Sequence, residues 1–259
     1  MPCTLSHPAA VLPFRRFCAG HLNFPALVIG SMTPDFGYYI HRFDVASFAH
    51  TVPGSFVVCL PSGIFLLLIF YLVRKPVCFI LPMPHRGALL PLCSALSRLG
   101  IRSLAMILLS LLLGAWSHIL WDSFTHQTGW FVQRVSWLHE PLFTVGSTPF
   151  RGHYLLQQFS TIAGAAVLLV AYLTWIHHHQ ATHPVPPAGE RWRYLLLAAV
   201  IVVALLLALP PAAHIARAFE GYLAFRVFVF RAGVYFLSIA LPLIILAAII
   251  IYARRHQVA

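Results

Sequence analysis

The sequence predicts an all-α, polytopic membrane protein with about five transmembrane helices and short interfacial helices at its N-terminus. Hydrophobic residues make up 60% of the 259 positions, charged residues only 9%, and the formal net charge is +11. The basic residues stand singly or in pairs between long runs of Leu, Ile, Val, Ala and Phe. Disordered and nucleic-acid-binding basic proteins carry their charge in blocks within a polar background, so neither class fits this chain.

Five segments reach the roughly 20 apolar residues that a helix needs to cross the hydrocarbon core of a bilayer. They cover residues 56–73, 104–121, 155–176, 194–213 and 232–252, and none contains Asp, Glu or Lys. Prolines occur in the first, fourth and fifth segments. A membrane helix tolerates them where neighbouring helices satisfy the freed backbone groups.

The first 55 residues differ from the rest because prolines interrupt every apolar stretch. Two short helices are expected there, around residues 9–16 and 24–32, either lying at the membrane interface or re-entering it. The segment does not resemble a cleavable signal peptide, since no basic region precedes an uninterrupted apolar run.

Basic residues in the loops indicate the orientation, because cytoplasmic loops are enriched in Lys and Arg. The loop 74–103 contains five basic residues and no acid, and the C-terminal tail contains Arg254 and Arg255. Both are therefore expected inside. Six arginines count against this assignment, because it places them outside: Arg15, Arg16, Arg42, Arg217, Arg226 and Arg231.

Cysteine gives no support for a disulfide framework or a thiolate zinc site. The five Cys residues include no CxxC pair. Any metal ion must therefore be held by imidazole and carboxylate groups, and the chain has 15 His but only six acidic residues.

The most informative stretch is SHILWDSFTHQTG, residues 117–129, at the end of the second predicted span. On a helix His118, Asp122 and His126 occupy positions i, i+4 and i+8 on one stripe. His118 and Asp122 can bind one cation, whereas His126 reaches it only where the helix ends. A hydrogen-bonded His–Asp pair that braces two helices is the alternative explanation.

Topology brings further candidates to the same side of the bilayer. If the first two spans form an antiparallel hairpin, Asp35 and His50 before the first span share a side with His118 and Asp122 after the second. His7 and His153 are further candidates, although Asp35 and the residues near His7 could instead cap helices. A His/Asp shell without Cys suits zinc, manganese or iron(II).

The pattern of these residues, together with the opening MPxTxSHPAAVLP and the motif SHxxWDSFTH, resembles an uncharacterised bacterial membrane family, one of the domains of unknown function. Its N-terminal half is distantly similar to membrane-bound metal-dependent hydrolases and zinc-dependent phospholipase C. The resemblance implies a set of metal ligands in this sequence: His7, Asp35, His50, His118, Asp122 and His126. The chain departs from the phospholipases where they have HxxxE, since it has His153 and Gln157.

We therefore expect three parts: a metal-site membrane domain (1–176), a Pro/His-rich linker (177–193) and two C-terminal transmembrane helices (194–259). The function expected is that of a metal-dependent hydrolase in a bacterial inner membrane, with the cluster outside, acting on a phosphoester or lipid-like substrate. Asp35 and Asp122 are its candidate catalytic residues. A non-catalytic protein with a structural metal site and a transporter are the alternatives.

Overall fold

The computed structural model of the chain describes residues 4–18, 21–94, 100–145, 148–179 and 189–256. Most of these residues are helical, and the strands described form one two-stranded antiparallel sheet. This confirms the predicted all-α, polytopic fold.

The elements follow in chain order. The α-helices are Phe24–Gly30 (α1), Phe36–Tyr39 (α2), Phe43–Ala49 (α3), Val52–Gly54 (α4), Leu60–Ile80 (α5), His85–Ser94 (α6), Ile101–Thr125 (α7), Ser136–His139 (α8), Gly152–His178 (α9), Arg191–Ala216 (α10) and Gly221–His256 (α11). Two 3-10 helices cover Thr4–Phe17 and Thr33–Asp35, and a π-helical turn covers Ser55–Cys59. The strands are Pro141–Val145 (β1) and Thr148–Arg151 (β2).

Five helical stretches are long and apolar enough to cross a membrane, as predicted. They are Val52–Ile80, Ile101–Thr125, Gly152–His178, Arg191–Ala216 and Gly221–Arg255. Each contains one of the predicted segments and extends beyond it at both ends. The prolines within them do not end these helices.

The chain forms two compact units. One contains Met1–Leu68 and Arg98–Tyr172, and the other contains Ile69–Ser97 and Leu173–Ala259. The second unit thus includes residues 69–97, which the sequence interpretation assigned to the metal-site domain. Of the predicted linker, residues 180–188 lie outside the described part of the chain, so the three-part division stays a prediction.

In the first unit α1 packs along the C-terminal half of α7 and runs in the same direction. The Asn23 backbone N–H donates to Ser110 Oγ at 2.8 Å, and eight residues further along both chains His118 Nδ1 lies 2.8 Å from the Ser31 carbonyl. The two contacts are eight residues apart in both segments, so α1 and α7 are parallel and rise together. Small residues permit this close approach, because a Cβ on Gly114 would lie 2.4 Å from the Leu27 carbonyl oxygen.

The 3-10 helix Thr4–Phe17 runs beside α7 in the opposite direction. Its first residue, Thr4, donates a hydrogen bond to Asp35, which lies near the C-terminal end of α7. Cys18, just beyond its last residue, lines a cavity of about 480 Å³ with Arg102 and Met106 in the first turns of α7. Fourteen residues at about 2.0 Å each cover roughly 28 Å. The 3-10 helix thus extends along much of α7, and its placement at the interface or by re-entry stays a prediction.

The second unit is organised by the packing of α10 against α11. Val200, Ala204 and Ala240 form its small apolar core. At the start of α10, Glu190 accepts hydrogen bonds from Arg86 at 2.7 Å and Arg193 at 3.1 Å, so the carboxylate is paired although it is buried.

The sulfur atoms of Cys78 and Cys93 come together within the second unit. The sequence interpretation did not predict this pair. The short turn between α5 and α6 brings residues of the two helices together, and cysteine spacing alone carries no such information.

Replacing Gly114 by Val should separate α1 from α7. The added side chain meets the α1 backbone, and overpacking of this kind costs about 1–3 kcal/mol. Thermal unfolding in detergent should therefore begin at a lower temperature. Gly233→Ala is the control, because nothing lies within 4 Å of its Cβ position. Equal unfolding temperatures for the two variants would contradict the close packing.

The path of the 3-10 helix predicts that Cys18 reacts on the same side of the membrane as the start of α7. Single-cysteine chains should be labelled with a membrane-impermeant maleimide in sealed vesicles of both orientations. Cys18 and the thiol introduced by Gly100→Cys should react in one orientation, and the thiol introduced by Gln127→Cys in the other. Labelling of Cys18 together with the position 127 thiol would place the N-terminal segment at the interface instead.

Candidate metal centre

His118 and Asp122 face the interior of the first unit from the last turns of α7. His118 is fully buried, and Asp122 is 6% exposed. The His118 Nε2 atom lies 3.3 Å from Asp122 Oδ2, as the i, i+4 spacing predicts.

Asp35 reaches the same point from the 3-10 turn that follows α1. Thr33 fixes this turn by donating its hydroxyl hydrogen bond to the Gly30 carbonyl. The Asp35 side chain is buried; its Oδ2 accepts the Thr4 hydroxyl, and its Oδ1 lies 3.6 Å from His118 Nε2. The sequence interpretation missed Thr4, although it stands one turn of a 3-10 helix before His7.

His50 completes the group at the C-cap of α3. Its Nε2 atom lies 3.5 Å from Asp35 Oδ1 and 3.2 Å from Asp122 Oδ2. The structure thus brings together Asp35, His50, His118 and Asp122, the four residues that the helical-hairpin argument placed on one side of the bilayer.

Backbone carbonyls fix the orientation of two imidazoles. His50 Nδ1 lies 2.7 Å from the Ala46 carbonyl, and His118 Nδ1 lies 2.8 Å from the Ser31 carbonyl. Each Nδ1 must donate a proton to its carbonyl, which directs the Nε2 atom of each ring at the carboxylates. Metal-binding histidines in proteins are oriented in this way.

The distances between the facing His and Asp atoms suit ligands of one ion. An ion with bonds of about 2.0–2.2 Å requires ligand atoms roughly 3.3–3.6 Å apart. The four His-to-Asp distances are 3.2, 3.3, 3.5 and 3.6 Å. Despite this proximity, His50 Nε2 and His118 Nε2 form no hydrogen bond, although both atoms are buried. Atoms that converge on a common point without bonding to one another favour a shared cation over a hydrogen-bonded brace.

His7 and His126 border the other oxygen of Asp122. Their nearest ring nitrogens lie 3.7 and 3.3 Å from Asp122 Oδ1. Both ring nitrogens of His126 and the Nε2 atom of His7 are buried and lack hydrogen-bond partners. The α7 helix ends at Thr125, with His126 in extended backbone geometry, so the predicted early helix end brings His126 to the cluster.

The charges of the cluster determine which rings can be protonated. Burial, together with the neighbouring His118, lowers the pKa of His7 to about 3. The His7 ring stacks on His118 with a centroid distance of 3.6 Å, and a neutral ring suits that stacking. Burial also disfavours a charge on His50, but the carboxylates of Asp122 and Asp35 outweigh it and raise the pKa of His50 to about 10. A proton on His50 and a divalent ion would therefore compete for the same place.

His153 does not join the cluster. Its Nδ1 atom lies 2.7 Å from the Leu138 carbonyl, and it belongs to neither group of potential metal ligands in the described part of the chain. Those groups are His7, Asp35 and His118, and His50, His118 and Asp122.

Metal binding should require both His118 and Asp122, because each faces at least two other ligands. Replacing either by Ala should remove as much bound metal as replacing both, which elemental analysis of protein purified in mild detergent can measure. His153→Ala is the matched control, since this buried histidine also bonds a carbonyl through Nδ1. A double variant that retains a stoichiometric divalent ion would place the metal elsewhere.

Comparison with known proteins assigns the chain to one family. A family model described as domain of unknown function (DUF4184) matches residues 1–252, so the chain belongs to that family. No curated protein and no solved structure shows significant similarity to it.

Proposed function

We propose that this member of the DUF4184 family is a metal-dependent hydrolase of the membrane face, acting on a phosphoester of a lipid-like molecule. The observation that carries the proposal is the convergence of two carboxylates and two backbone-oriented imidazoles on one point within hydrogen-bonding distance but without hydrogen bonds. That convergence is at the end of a helix long enough to cross the bilayer.

A divalent cation fits these ligands, and zinc suits them best. Imidazole nitrogen and carboxylate oxygen in a tetrahedral shell are typical of zinc, and manganese and iron(II) accept the same donors. Two carboxylates and neutral imidazoles also balance the charge of one divalent ion.

When bound, the ion would polarise a phosphoryl oxygen and lower the pKa of a coordinated water. Side chains of the protein would orient the water, accept its proton and contact the substrate. Asp35, held through its Oδ2 by Thr4, and Asp122 are placed to orient the water or to accept its proton. The side chains of His126 and His50 are 22% and 20% exposed, so these two rings are the cluster members most accessible to a substrate.

We also propose that the cluster faces the outside of a bacterial inner membrane. The path of the 3-10 helix supports this orientation, because Arg15 and Arg16 in its last turn then lie toward the Arg102 end of α7. Arg15 and Arg16, two of the six arginines that opposed the orientation at the sequence level, then lie on its cytoplasmic side.

A structural metal site is the second candidate, and one observation favours it. Four protein ligands close a tetrahedral shell, which is typical of structural zinc, whereas catalytic zinc keeps a position for water. His7 and His126 support the catalytic role instead. They place ring nitrogens that lack hydrogen-bond partners around Asp122 Oδ1, and a closed four-ligand site does not need them.

The catalytic proposal predicts slow, metal-dependent hydrolysis of a phosphoester lipid in detergent micelles. A chelator should abolish the activity, and zinc or manganese should restore it. Asp35→Asn should lower turnover by roughly a hundredfold or more, because the amide preserves the shape of the side chain but accepts no proton. Thermal unfolding of this variant should stay close to that of the parent protein.

The same experiment distinguishes the two candidates. Full activity in Asp35→Asn would refute the proposed role of the carboxylate. Unfolding upon chelation, with no activity on any phosphoester, would establish the structural role instead.

A further inference from the structure

A segment between two spans exposes large apolar side chains next to the metal centre. We call residues 127–151 the interspan segment, since it connects the span Ile101–Thr125 to the span Gly152–His178. Five large apolar residues in it are between 49% and 62% exposed: Trp130, Trp137, Leu142, Phe143 and Val145.

The hairpin in this segment exposes apolar side chains. In the described part of the chain strand β1 pairs with β2 alone, and all five of its residues are exposed. Phe143 stacks on Phe150 of β2, and Leu142 stands at the register shift between Pro141 and Phe143. A two-stranded hairpin with exposed apolar residues is marginal in water.

The rest of the segment is held firmly against the helix ends. The backbone N–H groups of Phe131 and Val132 both donate to the Ser123 carbonyl in the last turns of α7. Val132 and Leu138 are buried, and the Leu138 carbonyl bonds His153 at the start of α9. The exposed aromatic side chains therefore project from an anchored backbone that begins one residue after His126.

Cationic side chains accompany the aromatic ones. The Arg134 guanidinium lies 4.0 Å from the centre of the Trp130 ring and donates to the Trp130 carbonyl. Arg151, at the end of β2, donates to the His139 carbonyl. Trp beside Arg is typical of the membrane interface, where the ring sits at the headgroup level and the cation meets lipid phosphate.

We propose that the interspan segment lies in the headgroup layer of the surrounding bilayer and presents its phospholipids to the metal centre. Lipid is the occupant that the structure favours, because both ends of the segment continue directly into membrane-crossing helices. The assignment of phospholipid as substrate rests on the proposed function, whereas the contact with lipid does not.

The lipid contact can be tested without any enzymatic activity. Nitroxide labels introduced by Phe143→Cys and Val145→Cys should be studied in proteoliposomes of phosphatidylglycerol and phosphatidylethanolamine. Their collisions with oxygen should exceed those with a water-soluble nickel complex. A label introduced by Asp44→Cys, at an exposed polar position of α3, is the control and should show the reverse. Water-like accessibility at positions 143 and 145, or dipolar broadening between two copies of the chain, would overturn the lipid contact.

The role in substrate delivery needs a second comparison. The triple variant Leu142→Ser, Phe143→Ser, Val145→Ser should lower turnover of vesicle phosphatidylglycerol by about tenfold or more, since interfacial binding scales with buried apolar area. Its hydrolysis of bis(p-nitrophenyl) phosphate, a soluble phosphoester, should be unchanged. Equal activity of variant and parent on vesicles would overturn the delivery role. Lipid-exposed labels with no hydrolysis of either substrate would refute the proposed function and leave the lipid contact in place.

Discussion

The close packing of α1 on α7 is the constraint on which the metal centre depends. Because Gly30 and Gly114 allow the two backbones to touch, the Ser31 carbonyl reaches the His118 ring at the depth where α1 ends. The 3-10 turn that follows then places Asp35 beside the same ring. One helix contact thus orients an imidazole and positions a carboxylate at the same time. This contact also buries the irregular backbone of residues 30–35 against protein. Irregular backbone within the hydrocarbon region of a membrane needs such cover, because lipid offers it no hydrogen bonds.

A second constraint is charge. Asp35 and Asp122 are buried together, and two adjacent carboxylates repel each other in a medium of low dielectric constant. Imidazoles surround them, but His7 and His118 stack face to face and cannot both carry a proton without repulsion. A single divalent ion between the carboxylates neutralises both while all the rings stay neutral. The proton that His50 holds through its raised pKa neutralises one carboxylate, whereas a divalent cation in its place would neutralise both.

Part of this fold and site could be predicted from the sequence, because it depends on periodicity. Apolar length predicts the five spans, and i, i+4 spacing predicts that His118 and Asp122 share a face. Hairpin topology predicts that Asp35 and His50 approach them. Other features depend on contacts between distant segments that leave no periodic signal. Thr4, the Ser31 and Ala46 carbonyls, and the course of a proline-containing 3-10 helix beside α7 belong to this group. The hydrogen bond from the Trp116 indole N–H to Ser55 Oγ in the first span is a further contact of this kind.

The positions of the candidate ligands give the proposed metal ion a structural role in the first unit as well as a chemical one. Asp35 belongs to a 3-10 turn, His50 to the cap of a two-turn helix, and His118 and Asp122 to a span. Only the span is long enough for its own hydrogen bonds to keep it helical in a bilayer. The short elements gain their fixed positions from tertiary contacts, since short helices are marginal in isolation. An ion bound by all four side chains would link these elements directly to the span. Such an ion would therefore stabilise the N-terminal segment as well as activate a substrate, and a structural and a catalytic role are compatible in this centre.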